Sequence, residues 1–565
     1  MFFEIEKLAV ESLQESVKKL EYEENEEIKL EFPPNPELGD LASTISFKLA
    51  KVLKKSPHII AEQIAENIKV PKYFKEVKPV GPYVNFFIDY DYFSKEFLNQ
   101  INENYGNLEK IDEKIVLEHT SANPNGPLHI GHGRNAIIGD SLSKLLKKSG
   151  REVETQYYVN DMGRQIAMIV FGITELGLKI EDEYGDKIDH KIGQLYFKVN
   201  EKVNADESLV ENVDKLIQTY ESGEDEELNK IFEEVVNYCV DGVKETLNRI
   251  NIKHDKYVWE GQFVRNGDVE KVVKDLTDAG FVRENEVVYL DLIDFGIEKE
   301  LVLQRSNGTS LYSTRDLAYH RWKNTIGDKV IDILGSDHKL AIDQIKYAME
   351  IMYEEKPEAI FYEFINLPEG SMSTRRGVFV SVDDLIDEAV KRAIEEIKSR
   401  RDDLTDLEIN EIAEEIGIGA IRFYIAKLSP EKHITFKWDD ALSFEKGCAS
   451  IQYAHARATK LINKSEKDIS KLVISDEWSP NENEKDLIRL IAKFPQVIED
   501  SANKKRIHLI TQYCQDLASS FNKFYKSEQV VGSPLEDTRL ILVEKSKITL
   551  KNALDILGVS APLKM

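Results

Sequence analysis

The stretch IVLEHTSANPNGPLHIGHGRNA, residues 115–136, restricts the fold more than any other part of the chain. An apolar run, residues 115–119, feeds a turn rich in Pro and Gly, and a helical pattern follows at once. This is one strand–turn–helix unit of a doubly wound parallel sheet, in which ligands sit beyond the carboxyl ends of the strands. The tetrapeptide His129-Ile130-Gly131-His132 falls at the helix start. Backbone N–H groups at such a terminus face anionic phosphate, and a glycine there lets a flat ring approach the main chain. The unit reads as a device for holding a nucleotide.

A chain of 565 residues is too long for one core; at about 150 residues per domain, three or four domains are expected. No apolar run approaches the ~20 residues needed to span a bilayer. The acidic, amphipathic N-terminus lacks the basic start of a signal peptide. Three scattered cysteines form no CxxC pair, so neither a zinc site nor a disulfide framework is expected, and a cytoplasmic location follows. The net charge of −27 (75 Lys and Arg against 102 Asp and Glu) argues against non-specific nucleic-acid binding. It leaves room for a local basic patch.

Three regions follow from the patterning. Residues 1–110 read as a small α/β module with two helical patterns, the second capped by Asp40, and a strand in GPYVNFFIDYD that puts Tyr83 and Asn85 on one face. Residues 111–404 alternate strands and helices around an acidic helical insertion. FVRENEVVYLDL reads as a hairpin, Asn307-Gly308 as a turn, and DKVIDILGS as a strand covered on both faces. Residues 405–565 carry helical periodicity almost throughout and read as an all-helical bundle, with ISDEWSPNENEKD as a polar connector.

The segments EHTSANPNGPLHIGHGRNAIIGD, LYSTRD (311–316), SMSTRRG (371–377), QYAHAR (452–457) and the ending LGVSAPLKM together resemble the arginyl-tRNA synthetases, class I enzymes, in their archaeal form. The resemblance covers essentially the whole chain. It implies a multidomain α/β plus all-α protein: an N-terminal additional domain meeting the tRNA elbow, a Rossmann-like catalytic domain with the HIGH motif and insertions, and a helical anticodon-binding bundle. It also implies ATP-dependent activation of L-arginine and its transfer to the 3′ end of tRNA(Arg), releasing diphosphate and AMP. ATP enters as a substrate with Mg²⁺, no zinc is called for, arginine activation waits on bound tRNA, and the protein is expected to be a monomer.

Roles follow residue by residue. His129 and His132 match positions that donate to phosphate oxygens, with Gly131 beside the adenine. Glu118 and Asp316 match the acids that pair with the guanidinium, a planar fork suited to carboxylates, and Tyr312 supplies a hydroxyl one helical turn from Asp316. Ser121, Asn123 and His129 match positions that hold the amino and carboxylate groups of the amino acid. Tyr83 and Asn85 match readers of the tRNA D-loop, and Tyr453 and Met565 the anticodon site, where an aromatic face can stack on a base.

The second ATP motif departs from the family pattern. Ser371 and Thr374 stand where lysines are expected, and Gly126 stands where some relatives carry a compensating lysine. That leaves Met372, Ser373 and Thr374 as ATP contacts and Arg375 and Arg376 as the phosphate cations. Two rival readings remain: a class I synthetase for another amino acid such as cysteine or glutamate, and, motivated by the missing lysine, a tRNA-binding paralogue without catalysis.

Overall fold

The structure is a computed structural model that describes residues 2–22, 28–33, 35–181, 186–206, 208–306, 308–366, 380–443 and 447–565. The expected doubly wound sheet is present. Five parallel strands lie in the spatial order Glu358–Tyr362, Lys329–Gly335, Lys114–Glu118, Glu152–Val159, Lys256–Trp259. The chain starts at the central strand, builds to one side, then returns to build the other. Its switch point therefore lies between Lys114–Glu118 and Lys329–Gly335, where such sheets open a crevice for ligands.

Alternation along these two strands assigns their faces. Ile115, Leu117, Ile331 and Ile333 pack on one side, against the helix Ile130–Lys148 and the C-terminal bundle. Glu118 and Asp332 are in-register neighbours on the other side, beneath the helix Tyr312–Asn324. The acidic insertion supplies four helices, Arg164–Thr174, Ile188–Ala205, Ser208–Ser222 and Glu226–Arg249, which close a second core. The expected hairpin pairs Val282–Glu284 with Val288–Leu290. Asn307 lies outside the described residues.

The N-terminal module is a four-stranded antiparallel sheet in the order Leu30–Glu31, Leu41–Ser43, Tyr83–Ile88, Phe74–Val80, packed against helices. Asp40 is not a helix cap. The helix begins later, at Ile45, and its N-cap Thr44 makes no side-chain capping bond. Asp40 instead accepts from Ile88 N (2.8 Å), Tyr90 Oη (2.7 Å) and Arg489 Nε (3.0 Å), tying the module to the bundle. The mistake is physical: a short acid before a helical pattern and an acid buried at a domain junction look alike in sequence.

The bundle comprises Asp406–Ala426, Cys448–Ser465, Glu482–Lys504, His508–Ser527 and Glu536–Ile556. Its connector is less polar in effect than its composition suggests: Trp478 is buried there and donates to Glu484 Oε2 at 3.1 Å. The helix Cys448–Ser465 also holds the chain's C-terminal end. Gln452 Nε2 donates to Ser560 O (3.0 Å), and His455 Nδ1 lies 2.9 Å from Pro562 O. No helix among the described residues is long and apolar enough to cross a membrane.

Candidate functional site

The crevice begins at a strained turn. Thr120 and Ser121 both take left-handed backbone conformations, with φ of 72° and 37°, which cost on the order of 1–3 kcal/mol each. The turn is pinned from both strands. Thr120 N donates to Asn135 Oδ1 (2.7 Å), while Asn135 Nδ2 donates to Ile333 O (2.9 Å). Ser121 Oγ thereby reaches back to donate to Glu118 Oε1 at 2.9 Å and accepts from Tyr158 N at 3.0 Å. Asn123, further along the turn, is exposed.

The turn ends at His129, the N-cap of the helix Ile130–Lys148. Its Nδ1 accepts from Gly131 N (3.0 Å) and His132 N (3.2 Å). An accepting Nδ1 fixes the proton on Nε2, so the ring keeps an N–H donor while its other nitrogen caps the helix. At Gly131 a Cβ would lie 2.9 Å from His129 Cε1, so the missing side chain makes room for this ring. The His132 ring stacks on it, centroids 3.6 Å apart. Burial lowers the pKa of both, and His132, which also feels His129, falls to about 3. Both are therefore neutral donors near pH 7, not cations. Ser381, N-cap of the neighbouring helix Val382–Arg400, pairs with His129 through a β-bridge, and Val382 N donates to Leu128 O (2.8 Å).

On the sheet's other face the acids converge. Lys323 is fully buried. It donates to Glu118 Oε2 (2.9 Å) and Asp332 Oδ1 (2.7 Å), and its ammonium lies 4.2 Å from the Tyr319 ring centre. His320 continues the chain: Nε2 is 2.9 Å from Asp332 Oδ2 and Nδ1 is 3.1 Å from Asp316 Oδ1. Glu118 and Asp316, far apart in sequence, are thus the two ends of one buried ionic network. Burial raises Glu118, opposed by Lys323. Burial and Lys323 press His320 down, but Asp316 and Asp332 outweigh them and lift it to about 10. Burial would raise Asp332, yet Lys323 and His320 hold it far below the usual carboxylate range.

Asp316 is one-third exposed and Tyr312, a turn earlier, two-thirds exposed, so both open toward solvent. Tyr158 stacks on Tyr319 (4.3 Å) and buries a hydroxyl that has no partner among the described residues. Nearby, Glu260 sits 2.9 Å from Arg315, and burial, opposed by that guanidinium, lifts its carboxyl to about 8. Lys323, His320 and Asp332 were missed in the sequence. The signal was present: an aspartate inside the otherwise apolar DKVIDILGS, and Asp316, His320 and Lys323 spaced four and three apart on one helix face.

The remaining sequence-predicted residues lie elsewhere. Met372, Ser373, Thr374, Arg375 and Arg376, with Ser371, fall outside the described residues. Tyr83 is 37% exposed and meets the Phe47 ring edge-on at 5.3 Å. Asn85 does not share its exposure. It is 3% exposed, its amide nitrogen donates to Leu38 O, and its Oδ1 is buried without a partner among the described residues. Tyr453 is 43% exposed, with the Arg457 guanidinium 4.5 Å from its ring centre. Met565 packs near Ile397 and Ile409, and its carbonyl accepts from Arg401. One group outside the crevice has metal-ligating atoms, Asp189, His190 and Asp383. There Lys187 Nζ already bridges the two carboxylates, at 3.1 and 2.9 Å.

Comparison with known proteins agrees along the full length. The family model "tRNA synthetases class I (R), catalytic domain" matches residues 96–438, the DALR anticodon binding domain 451–565, and the "Arginyl tRNA synthetase N terminal domain" 7–88. The arginine–tRNA ligases of Methanobrevibacter smithii and Methanothermobacter thermautotrophicus are 68% and 56% identical, each covering 100% of both chains. Among solved structures, the Thermus thermophilus arginyl-tRNA synthetase superposes with a TM-score of 0.83 at 28% identity, over 99% of this chain and 100% of that one. The Plasmodium falciparum enzyme shares the fold, with a TM-score of 0.79 at 20% identity and 99% of each chain covered. The chain belongs to the arginyl-tRNA synthetase family.

Proposed function

We propose that this protein joins L-arginine to tRNA(Arg) at the expense of ATP, using the crevice at the sheet's switch point. An oxygen of the arginine carboxylate attacks the α-phosphorus of ATP and the bond to diphosphate breaks. The 2′- or 3′-hydroxyl of the terminal tRNA adenosine then attacks the activated carbonyl, and AMP leaves. Neither step needs a side-chain nucleophile; alignment of the reactants and stabilisation of charge on the transferring phosphorus carry the chemistry.

Glu118 and Asp316 take the guanidinium, with the Tyr312 hydroxyl beside it. Ser121, Asn123 and His129 hold the amino and carboxylate groups. Neutral His129 and His132 donate N–H bonds toward the phosphates at the positive end of their helix. Arg375 and Arg376 neutralise the departing diphosphate in place of lysines, and Mg²⁺ arrives with ATP, held by phosphates and water. Tyr453 and Met565 meet the anticodon and Tyr83 the D-loop. The observation that carries this reading is the buried network joining Glu118 to Asp316. An anionic pocket rejects glutamate, and no thiol-selective metal site accompanies it among the described residues, which disfavours cysteine.

The test is aminoacylation of unfractionated tRNA with each of the twenty amino acids and ATP. Arginine alone should be incorporated, with formation of AMP, and arginine-dependent diphosphate exchange should stay negligible until tRNA is added. Binding of tRNA without turnover would favour the non-catalytic reading.

A further inference from the structure

We propose that Lys323, with Asp332 and His320 behind it, is a positioning and specificity-determining assembly that sets the charge of the arginine pocket, so that only a side chain with one full positive charge completes it. This rests on the reading that Glu118 and Asp316 receive the guanidinium.

The arrangement is built for charge balance. Glu118 and Asp332 are in-register neighbours on adjacent parallel strands, about 4.8 Å apart by strand spacing. Both carboxylates reach the same Nζ, at 2.9 and 2.7 Å, and two covered carboxylates that near each other cannot both stay ionised without a cation between them. Lys323 is that cation, and it reaches the sheet from the helix that also carries Asp316. Three carboxylates (Glu118, Asp316, Asp332) face one ammonium and one imidazolium (Lys323, His320), which leaves a single negative charge. A guanidinium brings the set to neutrality; a neutral urea of the same shape does not.

Surrounding charges pair off separately. Lys114 lies 3.6 Å from Glu154 on the neighbouring strand, and Arg315 is shared between Glu260 (2.9 Å) and Glu221 (3.6 Å). With Ser121 Oγ on one oxygen of Glu118 and Lys323 on the other, the carboxylate is oriented before arginine arrives.

The test uses the full-length enzyme with Lys323→Met and Asp332→Asn, measuring KM for arginine and for ATP, and inhibition by citrulline, the neutral isostere. Without Lys323, nothing offsets the burial that raises Glu118, and its carboxylate loses the ammonium that holds it ionised and in place. The arginine KM of Lys323→Met should rise at least tenfold at pH 7, with ATP KM within twofold, and should fall again as rising pH restores the Glu118 carboxylate. Asp332→Asn removes one negative charge, so its pocket is neutral before arginine binds. Its arginine KM should rise while the citrulline Ki rises less, narrowing the discrimination at least tenfold. If Lys323→Met does not fold, Asp332→Asn still decides. Arginine KM within twofold of the wild type, or arginine, citrulline and ATP constants that move together in both variants, would overturn the proposal. A wild-type enzyme that fails to charge tRNA with arginine would instead sink the reading beneath it.

Discussion

The proposed arginine pocket and the proposed tRNA-facing residues are built in opposite ways. In the proposed pocket, Lys323, Asp332 and His320 are buried, Glu118 is largely covered, and the four are bonded in a chain, while Asp316 and Tyr312 open at the rim. In the N-terminal module and the C-terminal bundle, Tyr83 and Tyr453 stand more than a third exposed, with Phe47 and Arg457 against their rings. A small cation is discriminated by charge, and charge is decisive only where water is excluded and every buried group is compensated. A large polyanion is met over a wide area, so each contact can be weak, exposed and replaceable.

The largest expected effects come from the pocket. Asp316→Ala should raise the arginine KM by roughly 30- to 1000-fold, the loss of ~2–4 kcal/mol expected when one partner of a charged pair is removed, with ATP KM unchanged. Steady-state kinetics with each substrate varied would settle it; an unchanged arginine KM removes Asp316 from the pocket and ends the contrast between the two regions.

The helix-start histidines come next. His132→Ala should lower kcat by ~10- to 100-fold, toward the lower end for a lost donor to developing charge, with little change in stability. His129→Ala should also lose the helix cap, ~1 kcal/mol, visible as a lower Tm that His129→Asn restores. Desolvation lowers both imidazoles, and burial with the neighbouring His129 takes His132 down to about 3, so His132 does not titrate between pH 6 and 8. The free-enzyme limb of kcat/KM should therefore show no inflection from His132 in that window; an inflection near 6.5 that vanishes in His132→Ala would contradict the burial.

Legibility in the sequence followed the same divide. The strand–turn–helix around HIGH, the apolar strand at 329–335 and the helical C-terminal region could be read from periodicity, because hydrophobic spacing reports secondary structure directly. Glu118 and Asp316 could be named from resemblance. Their connection could not, since Lys323 and Asp332 meet only once the sheet order and the covering helix are known. Asp40 shows the converse error, where local capping chemistry was a good guess overridden by a tertiary partner, Arg489, 449 residues away. Tyr83 and Asn85 do share a face, opposite the core residues Val84 and Phe86, but the spacing could not tell that one is open and the other covered. Tyr83 is the first residue of its strand and pairs on one side only, with Val80, while Asn85 is paired on both sides, with Ala42 and Lys78.

At the anticodon end, Tyr453→Ala should raise the tRNA KM by ~5- to 100-fold, the ~1–3 kcal/mol of one lost base–aromatic stack, and leave the arginine KM alone. Tyr453→Phe should keep most of the affinity. Because Gln452 and His455 on the same helix hold the C-terminal end, deleting Met565 tests whether the ring acts alone or with the terminus. A loss of tRNA affinity equal to that of Tyr453→Ala would make the two one surface.

The smallest effect, and the sharpest test of the contrast, lies in the N-terminal module. Tyr83→Ala removes an exposed ring whose edge-on pairing with Phe47 is worth ~0.5–1.5 kcal/mol; the tRNA KM should rise two- to tenfold with Tm nearly unchanged. Asn85→Ala should do the reverse. Its amide bond to the Leu38 carbonyl sits inside the sheet, so its loss leaves that acceptor unpaired and costs ~1–3 kcal/mol of stability, with tRNA affinity following only as the module loosens. Measured side by side, Tm and tRNA KM should move independently in the two variants. If Asn85→Ala weakened tRNA binding at full stability, its orphaned Oδ1 would belong to the tRNA surface, and the line between buried, compensated recognition and open, replaceable contacts would have to be redrawn through this strand.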